Sequence, residues 1–168
     1  MDRAVRAADR PVAIAIGSNL GDRRAAIAFA VDRLSRIVSD LVISTIIETE
    51  PEDATGALLP EDPLYLNAVV AGSTSLGSRA LLGELLAIER DFGRERPYPG
   101  AARTLDLDLI LLDDDVIDEP DLQIPHPRFR SRFFVLGPLA ELAPEFRDPV
   151  TGLRVAELLV RLLRDESR

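Results

Sequence analysis

The first part of the chain alternates between short apolar runs and amphipathic stretches. Residues 11–17 (PVAIAIG) form an apolar run that ends at a glycine, which predicts a buried β-strand. Apolar residues then recur every three or four positions, which predicts a helix over residues 22–38. The members of this stripe are Ile27, Val31, Leu34 and Val38. Residues 41–49 are rich in β-branched side chains and predict a second strand.

A second set of elements follows a loop. Residues 50–63 contain three prolines, a glycine and five acidic residues, a composition that predicts a long functional loop. Residues 64–71 predict a third strand, and Ser78 is positioned to cap a second helix that ends before Gly93. Another loop with prolines and glycine leads to a fourth strand over residues 104–112 (TLDLDLILL).

The predicted order of elements is β-α-β-β-α-β, which is typical of the ferredoxin-like α+β fold. This fold has an antiparallel sheet with both helices on one face. The rest of the chain predicts a hairpin over residues 116–124 and short helices near residues 131–141 and 154–163. We therefore expect one domain over residues 11–168, preceded by a disordered tail over residues 1–10.

Strand alternation sorts the polar residues by face. On the fourth predicted strand, leucines alternate with Asp106 and Asp108, so the two carboxylates share the face opposite the leucines. On the third strand, Tyr65 and Asn67 share one face in the same way. If the helices cover the leucine face, the helix-free face displays two aspartates, a tyrosine and an asparagine. Alternation alone therefore predicts a site on that face.

The composition restricts the chemistry of such a site. The chain has no cysteine and one histidine, which excludes disulfides, thiolate metal sites and multi-histidine zinc sites. A divalent metal must then bind carboxylates, which favours Mg²⁺ or Mn²⁺. All 20 basic residues are arginine, so a phosphate loop of the kind that requires lysine is excluded.

The charge and the hydropathy pattern indicate the partners and the compartment. The formal net charge is −9, which disfavours a nucleic-acid partner, whereas local arginine clusters suit a compact anion such as a nucleotide. No apolar run reaches transmembrane length, and the N-terminus has no signal-peptide core. We expect a cytoplasmic monomer that binds small molecules and no membrane.

Each candidate residue also has a purely structural interpretation. Asp106 and Asp108 lie about 6 to 7 Å apart on one strand face, a spacing that a pair of divalent cations can bridge. A solvated strand face explains the same pattern. His126, which lies between two prolines, suits an exposed loop, and Tyr65 and Asn67 suit the surface of an edge strand.

Five segments together resemble the 6-hydroxymethyl-7,8-dihydropterin pyrophosphokinase family. They occur in the family's order and cover most of the chain from residue 12 to about residue 159. The combination of RTLDLD with PHPR some twenty residues later is highly specific. The segments are AIGSNLGD (15–22), YLNAVV (65–70), ERDFGRER (89–96), ARTLDLDLI (102–110) and IPHPRFRSRFFVLGPLAELAPE (124–145).

The resemblance implies a fold, a reaction and a set of catalytic residues. The fold is ferredoxin-like with C-terminal additions, and the reaction transfers pyrophosphate from ATP to the pterin in folate biosynthesis. Asp106 and Asp108 resemble the ligands of two Mg²⁺ ions that bind the ATP phosphates. Arg94 and Arg103 resemble the arginines that reach those phosphates.

The resemblance also implies two sets of binding residues. The residues that resemble ATP-site positions are Glu89, Arg96, Leu109, His126 and Arg132, with the backbone of Leu109 next to adenine. The residues that resemble the pterin pocket are Thr49, Tyr65, Asn67 and Phe134. In that pocket two rings enclose the ligand and Asn67 pairs with its amide-like edge.

The chain departs from the family pattern at three places. The family often has a Trp-Gly-Pro run before the second phosphate arginine, whereas residues 98–102 here read YPGAA. Asp121 and Gln123 occupy positions that can be arginine and threonine near the adenosine, so those contacts are not transferred. The loop over residues 50–63 is long and acidic, and its contacts cannot be transferred either.

Two other functions are compatible with parts of the pattern. A metal-dependent nucleotidyl transferase also places carboxylates on a ferredoxin-like sheet, although the net charge of −9 disfavours a nucleic-acid substrate. A non-catalytic ligand-binding module with this fold leaves the aspartate pair, the arginines and His126 unexplained. The reaction products distinguish these possibilities.

Overall fold

The computed structural model describes residues 8–53, 55–94 and 105–167, which contain seven strands, four α-helices and one 3₁₀ helix. The sheet and its two crossover helices are β1 (Arg10–Ser18), α1 (Arg23–Leu34), β2 (Ser39–Ile43), β3 (Ile47–Thr49), β4 (Tyr65–Thr74), α2 (Ser78–Arg94) and β5 (Asp106–Leu112). The C-terminal part consists of β6 (Ile117–Glu119), β7 (Leu122–Ile124), a short 3₁₀ helix (Phe129–Ser131), α3 (Phe133–Leu142) and α4 (Val155–Glu166). No helix among these residues is long and apolar enough to cross a membrane.

The main sheet has the predicted ferredoxin-like arrangement. Its strand order is β2-β4-β1-β5, with β3 also pairing with β4, and every pairing is antiparallel. When β2 and β3 are counted as one interrupted strand, this is the order fourth-first-third-second that a split β-α-β unit produces. Strands β6 and β7 form the predicted hairpin as a separate two-stranded sheet.

Several predicted element boundaries are wrong. The second predicted strand is interrupted at Ser44. The Ser44 N–H donates a hydrogen bond to the Val69 carbonyl, and the Ser44 hydroxyl accepts one from the Val69 N–H, each at 2.9 Å. Helix α1 ends at Leu34 rather than at Val38, because the last residues form a tight turn on the Leu34 carbonyl. Gly93 lies inside α2 rather than beyond its end.

The two faces of the sheet carry separate apolar clusters. On one face, α1 and α2 pack against large side chains that include Ile14, Leu107 and Leu109, as the alternation predicts. On the other face, α3 and α4 cover Val69 and Ile110. The expected helix-free face is therefore open only at one end, because beyond Asn67 and Asp108 the same strand faces become apolar and must be covered.

Candidate active site

The floor of the open end is formed by the central strand β1, which alternates large and small residues. Its large side chains face α1 and α2, whereas Ala13, Ala15 and Gly17 face the opposite side of the sheet. A Cβ atom on Gly17 would lie 3.3 Å from Oδ1 of Asn67 and 3.5 Å from Cδ1 of Tyr65. The small residues therefore leave a trough above β1. The alternation in PVAIAIG is the signal that could have identified this floor.

The sheet register determines which residues border the trough. Gly17 pairs with Asn67 on β4 and with Asp106 on β5. Ala15 pairs with Val69 on one side and with Asp108 on the other. Neighbouring strands lie about 4.8 Å apart, so the backbones of Asn67 and Asp106 are separated by about 10 Å. The asparagine and the aspartate pair therefore lie on opposite sides of one trough.

The trough forms a cleft of about 270 Å³. Eight of the residues predicted from the sequence line it, and the loop after β3 supplies a wall that sequence reasoning did not assign. The predicted residues that line it are Thr49, Tyr65, Asn67, Glu89, Asp106, Asp108, Arg132 and Phe134. The wall residues are Glu50, Pro51 and Glu52.

The end of the cleft at β4 is polar at its base and aromatic at its sides. Asn67 is buried, and its Nδ2 donates a hydrogen bond of 2.6 Å to Oγ1 of Thr49. This bond orients the amide toward the cleft. Phe134 lines the cleft, whereas its neighbour Phe133 is exposed, so only one ring of this adjacent pair contributes to the site.

Tyr65 is kept in its neutral form by its surroundings. Burial raises the pKa of the phenol, and the nearby charges of Asp106, Asp62 and Asp108 raise this pKa further. The hydroxyl therefore remains a hydrogen-bond donor at neutral pH.

Glu89 connects helix α2 to the strand that carries the aspartates. Its Oε1 accepts a hydrogen bond of 2.7 Å from the backbone N–H of Leu107, between Asp106 and Asp108. This contact holds the outer edge of β5 at the point where both carboxylates face the cleft. In this structure Glu89 therefore positions the aspartate strand as well as lining the cleft.

A second cleft of about 240 Å³ lies on the other side of Asp108 and is also lined by Leu109 and His126. Asp108 lines both clefts, so the two spaces meet at this carboxylate. Asp121 and Gln123, the two departures from the family pattern, also line it. Asp121 accepts a 2.7 Å bond from Arg79, and Gln123 donates a 2.9 Å bond to Asp118.

His126 is held as a neutral ring with a defined orientation. Its Nδ1 accepts a hydrogen bond of 3.1 Å from the backbone N–H of Arg128. Burial lowers the pKa of the imidazole, and the charges of Arg132 and Arg128 lower it further, against the opposing effect of Asp108. A neutral ring whose Nδ1 accepts carries its proton on Nε2, which is then available as a donor.

Arg132 lines the cleft and carries one buried donor, its Nε. Its Nε has no hydrogen-bond partner among the described residues, and its guanidinium lies 5.5 Å from the centre of the Phe134 ring. Burial lowers the pKa of Arg132, and the charge of Arg128 lowers it further, against Asp108 and Glu52. A buried polar atom without a partner is costly, which is the arrangement expected of a group that binds an anion.

Asp106 and Asp108 provide a donor set that fits Mg²⁺. Both carboxylates lie on the same strand face and line the cleft, and hard oxygen donors are the ligands that this ion prefers. Within residues 8–53, 55–94 and 105–167, no group of three or more His, Cys, Asp or Glu side chains could hold a metal ion. Two carboxylates suit an ion that keeps several waters and completes its shell with substrate phosphates.

Three predicted arginines lie outside this description. Arg96 and Arg103 are not among the described residues, and neither is the side chain of Arg94, whose backbone ends α2. Their predicted contacts with phosphate remain predictions from the resemblance.

Comparison with known proteins agrees with this geometry. A family model for 7,8-dihydro-6-hydroxymethylpterin-pyrophosphokinase (HPPK) matches residues 13–144. A 2-amino-4-hydroxy-6-hydroxymethyldihydropteridine pyrophosphokinase from Pseudomonas aeruginosa is 39% identical over 149 residues, which are 88% of this chain and 89% of that protein. The enzyme of the same name from Bacillus subtilis is 35% identical over 156 residues, or 92% and 90% of the two chains.

A solved structure shares the fold at low sequence identity. Wild-type Plasmodium falciparum HPPK-DHPS superimposes with a TM-score of 0.72 and 12% identity, covering 94% of this chain and 45% of that chain. This likeness supports the ferredoxin-like fold alone, and the chain spans less than half of that solved protein. The family match and the two bacterial relatives show more than the fold. The family model matches most of this chain, and each alignment with a relative covers most of both proteins. The chain belongs to the 7,8-dihydro-6-hydroxymethylpterin-pyrophosphokinase family.

Proposed function

We propose that this protein transfers the pyrophosphoryl group of ATP to 6-hydroxymethyl-7,8-dihydropterin in folate biosynthesis. The products are AMP and the pterin diphosphate. The observation that carries the proposal is the strand register, in which Gly17 separates Asn67 from Asp106 across one trough. A ring bound at Asn67 then directs its substituent toward phosphates bound at the two aspartates.

The pterin occupies the end of the cleft at β4. Its flat bicyclic ring lies between Tyr65 and Phe134, which line the cleft there. The amide of Asn67, oriented by Thr49, pairs with the donor and acceptor groups on the edge of the ring. A buried amide of this kind selects a ligand strongly, because a ligand without the matching groups leaves the amide unpaired.

ATP extends from the main cleft, which also holds the pterin, into the second cleft. Arg132 binds a phosphate oxygen through its guanidinium at the lining of the main cleft, and neutral His126 donates from Nε2 to the nucleotide. The backbone of Leu109 borders the adenine, and Glu89 holds the strand that connects the two spaces. By the resemblance, Arg94 and Arg103 bind the ATP phosphates and Arg96 contacts the nucleotide.

Asp106 and Asp108 are the residues that would hold two Mg²⁺ ions, with Mn²⁺ as an alternative. When bound, these ions neutralise phosphate charge and orient the ATP chain. The two carboxylates would compensate the positive charge of the ions, and both lie on the side of the trough opposite Asn67.

The chemical step is a displacement at the β-phosphorus. The hydroxymethyl oxygen forms a bond to this phosphorus, the bond to the oxygen shared with the α-phosphorus breaks, and AMP leaves with that oxygen. The hydroxyl proton is lost to solvent or to a phosphate oxygen. Phosphoryl transfer needs little covalent assistance, so the protein contributes by alignment and by stabilising negative charge. Exclusion of water from the complex with both substrates would prevent hydrolysis of ATP.

Product analysis tests the proposal. Incubation with Mg-ATP and 6-hydroxymethyl-7,8-dihydropterin should give AMP and pterin diphosphate in equal amounts, and a chelator should abolish the reaction. Release of ADP would contradict transfer of two phosphoryl groups, and release of inorganic pyrophosphate would favour a nucleotidyl transferase. Substrate binding without turnover would favour a non-catalytic module.

Light scattering after size-exclusion chromatography tests the expected monomer, and fractionation of cells tests the expected cytoplasmic location.

A further inference from the structure

The wall of the cleft next to Thr49 is a small, internally bonded turn, which we name the wall turn (residues 51–53 and 55–59). Glu52 forms a bridge with Leu58, and the Leu59 N–H bonds the Pro51 carbonyl at 2.8 Å. Inside the turn, Oδ1 of Asp53 accepts bonds from Thr55 N at 2.7 Å and from Thr55 Oγ1 at 2.6 Å. The turn therefore has its own shape, and its position depends on what holds it to the body of the protein.

Arg128 contacts this turn through its guanidinium. Both terminal nitrogens of its guanidinium lie 3.4 Å from the carbonyl oxygen of Asp53, and one lies 3.7 Å from Oε2 of Glu52. A Cβ on Gly56 would lie 3.8 Å from the same nitrogen. Each contact is long and individually weak, but all act on one guanidinium against one turn.

The base of Arg128 is rigid. Its N–H bonds Nδ1 of His126, and its carbonyl accepts bonds from both the N–H and the hydroxyl of Ser131, at 3.2 and 3.1 Å. The next residue, Phe129, is fully buried, and Arg130 is bound to the buried Asp148. A side chain on a rigid base that contacts a separate turn restrains that turn.

The lining of the clefts distinguishes Arg128 from the ligand-binding arginines. Pro51 and Glu52 line the main cleft, whereas Arg128 lines neither of the two clefts formed by the described residues. We propose that Arg128 is a positioning residue that holds the wall turn against the pterin end of the cleft. The inference rests on the proposed function, because it assumes that the ring binds beside Thr49 and Asn67.

Arg128→Lys is the sharpest test, because lysine keeps the positive charge near the nucleotide and loses the planar pair of nitrogens. We expect the dissociation constant of the pterin to rise about threefold to tenfold, as suits weak charge-assisted bonds. The dissociation constant of a nonhydrolysable ATP analogue should change less than twofold at 0.15 M salt. Hydrogen exchange at the amides of Asp53, Gly56 and Leu59 should accelerate.

Three further variants separate the possible outcomes. Arg128→Ala should weaken pterin binding at least as much as Arg128→Lys, and Glu52→Gln should have a smaller effect because the bonds to the Asp53 carbonyl remain. Unchanged pterin affinity and exchange in Arg128→Lys, or a fivefold loss of ATP-analogue affinity with normal pterin binding, would overturn the positioning role.

Asn67→Ala distinguishes the two proposals. If Asn67→Ala weakens pterin binding and Arg128→Lys does not, only the positioning role fails. If Asn67→Ala has no effect, the proposed pterin pocket fails.

Discussion

Arg130 and Arg132 lie two residues apart, but their surroundings differ in one respect. Arg130 donates hydrogen bonds of 2.6 and 2.8 Å to Asp148, whose side chain is fully buried. Asp148 also accepts bonds from Thr151 Oγ1 and from Val150 N. Arg132, by contrast, has a buried Nε without a partner among the described residues.

The difference separates a structural region from a functional one. Around Asp148 the charges are satisfied within the protein, so the interaction contributes to folding and leaves nothing for a ligand. At the cleft, Arg132 is incompletely bonded, and Asp106 and Asp108 place two like charges on one strand face. Such a region is costly for the free protein, and under the proposed function bound substrate and metal ions would offset that cost. Substitutions should therefore affect stability in one region and function in the other.

The largest expected effect is on stability, at Asp148. Asp148→Ala should lower the free energy of unfolding by about 3 kcal/mol, because it removes four hydrogen bonds and leaves Arg130 without its partner. The value is at the low end for a buried ion pair, since 30% of the Arg130 side chain is exposed. Chemical denaturation measures it. The control is Asp32→Ala, which removes an exposed pair with Arg36 and should have little effect. Equal effects of the two variants would contradict the distinction.

The next effect is on turnover, at Asp108. Asp108→Asn should slow the reaction by about a hundredfold or more, the several kcal/mol expected of a lost metal contact. Stability without metal should stay unchanged or rise, because the two carboxylates repel by about 0.7 kcal/mol at ~6 Å in a water-like dielectric. Turnover and thermal unfolding are measured on the same preparation. Normal turnover in a folded variant would remove Asp108 from the proposed metal site.

A paired substitution tests the two arginines directly. Arg132→Gln should weaken binding of a nonhydrolysable ATP analogue about tenfold to thirtyfold, because it removes a charge-assisted bond, and should leave stability without ligand unchanged or higher. Arg130→Gln should do the reverse, lowering stability and leaving nucleotide affinity unchanged in the folded protein. Calorimetry and denaturation give the four values. If both variants lose stability and affinity alike, the two arginines do not differ in role.

The smallest effect concerns pH. Burial opposes ionisation of Asp148, but the bonds from Arg130, Thr151 and Val150 outweigh it and lower the pKa of this carboxyl below its ordinary value of 3.8. Between these two pKa values the unfolded chain binds more protons, so stability falls as the pH drops below about 3.8. The slope contributed by one group is at most about 1.4 kcal/mol per pH unit.

Denaturation curves of the wild type and Asp148→Asn isolate this contribution. Their difference in unfolding free energy should be constant above pH 5 and should shrink as the pH falls through the folded pKa. A difference that stays constant down to pH 2 would show that ionisation of Asp148 does not contribute.

Local patterns in the sequence predicted most of the sheet and four residues of the cleft, and the family resemblance added others. Alternation placed Asp106 and Asp108 on one face of β5, and Tyr65 and Asn67 on one face of β4, because successive side chains of a strand point to opposite sides. The large and small residues of β1 carried the same kind of signal for the floor at Gly17, although sequence reasoning did not use it.

Element ends and the covered part of the sheet were harder to predict. Val38 continues the apolar stripe of α1 and is buried, but the helix ends at Leu34 because the chain turns there to enter β2. The helices α3 and α4 cover the face that was expected to be free of helices. Their packing against Val69 and Ile110 joins residues that are distant in the sequence, so no local period reveals it.

The sequence by itself determined the order of the elements, the faces of the strands and the acidic, cysteine-free chemistry, because each of these depends on neighbouring residues or on composition. Only the tertiary structure decided the hydrogen-bond partners of the three arginines in RFRSR. Arg130 meets Asp148 eighteen positions away, Arg128 meets Asp53 seventy-five positions away, and Arg132 retains an unpartnered donor among the described residues. Identical side chains have different surroundings here because folding sets the partners of each guanidinium over long sequence separations.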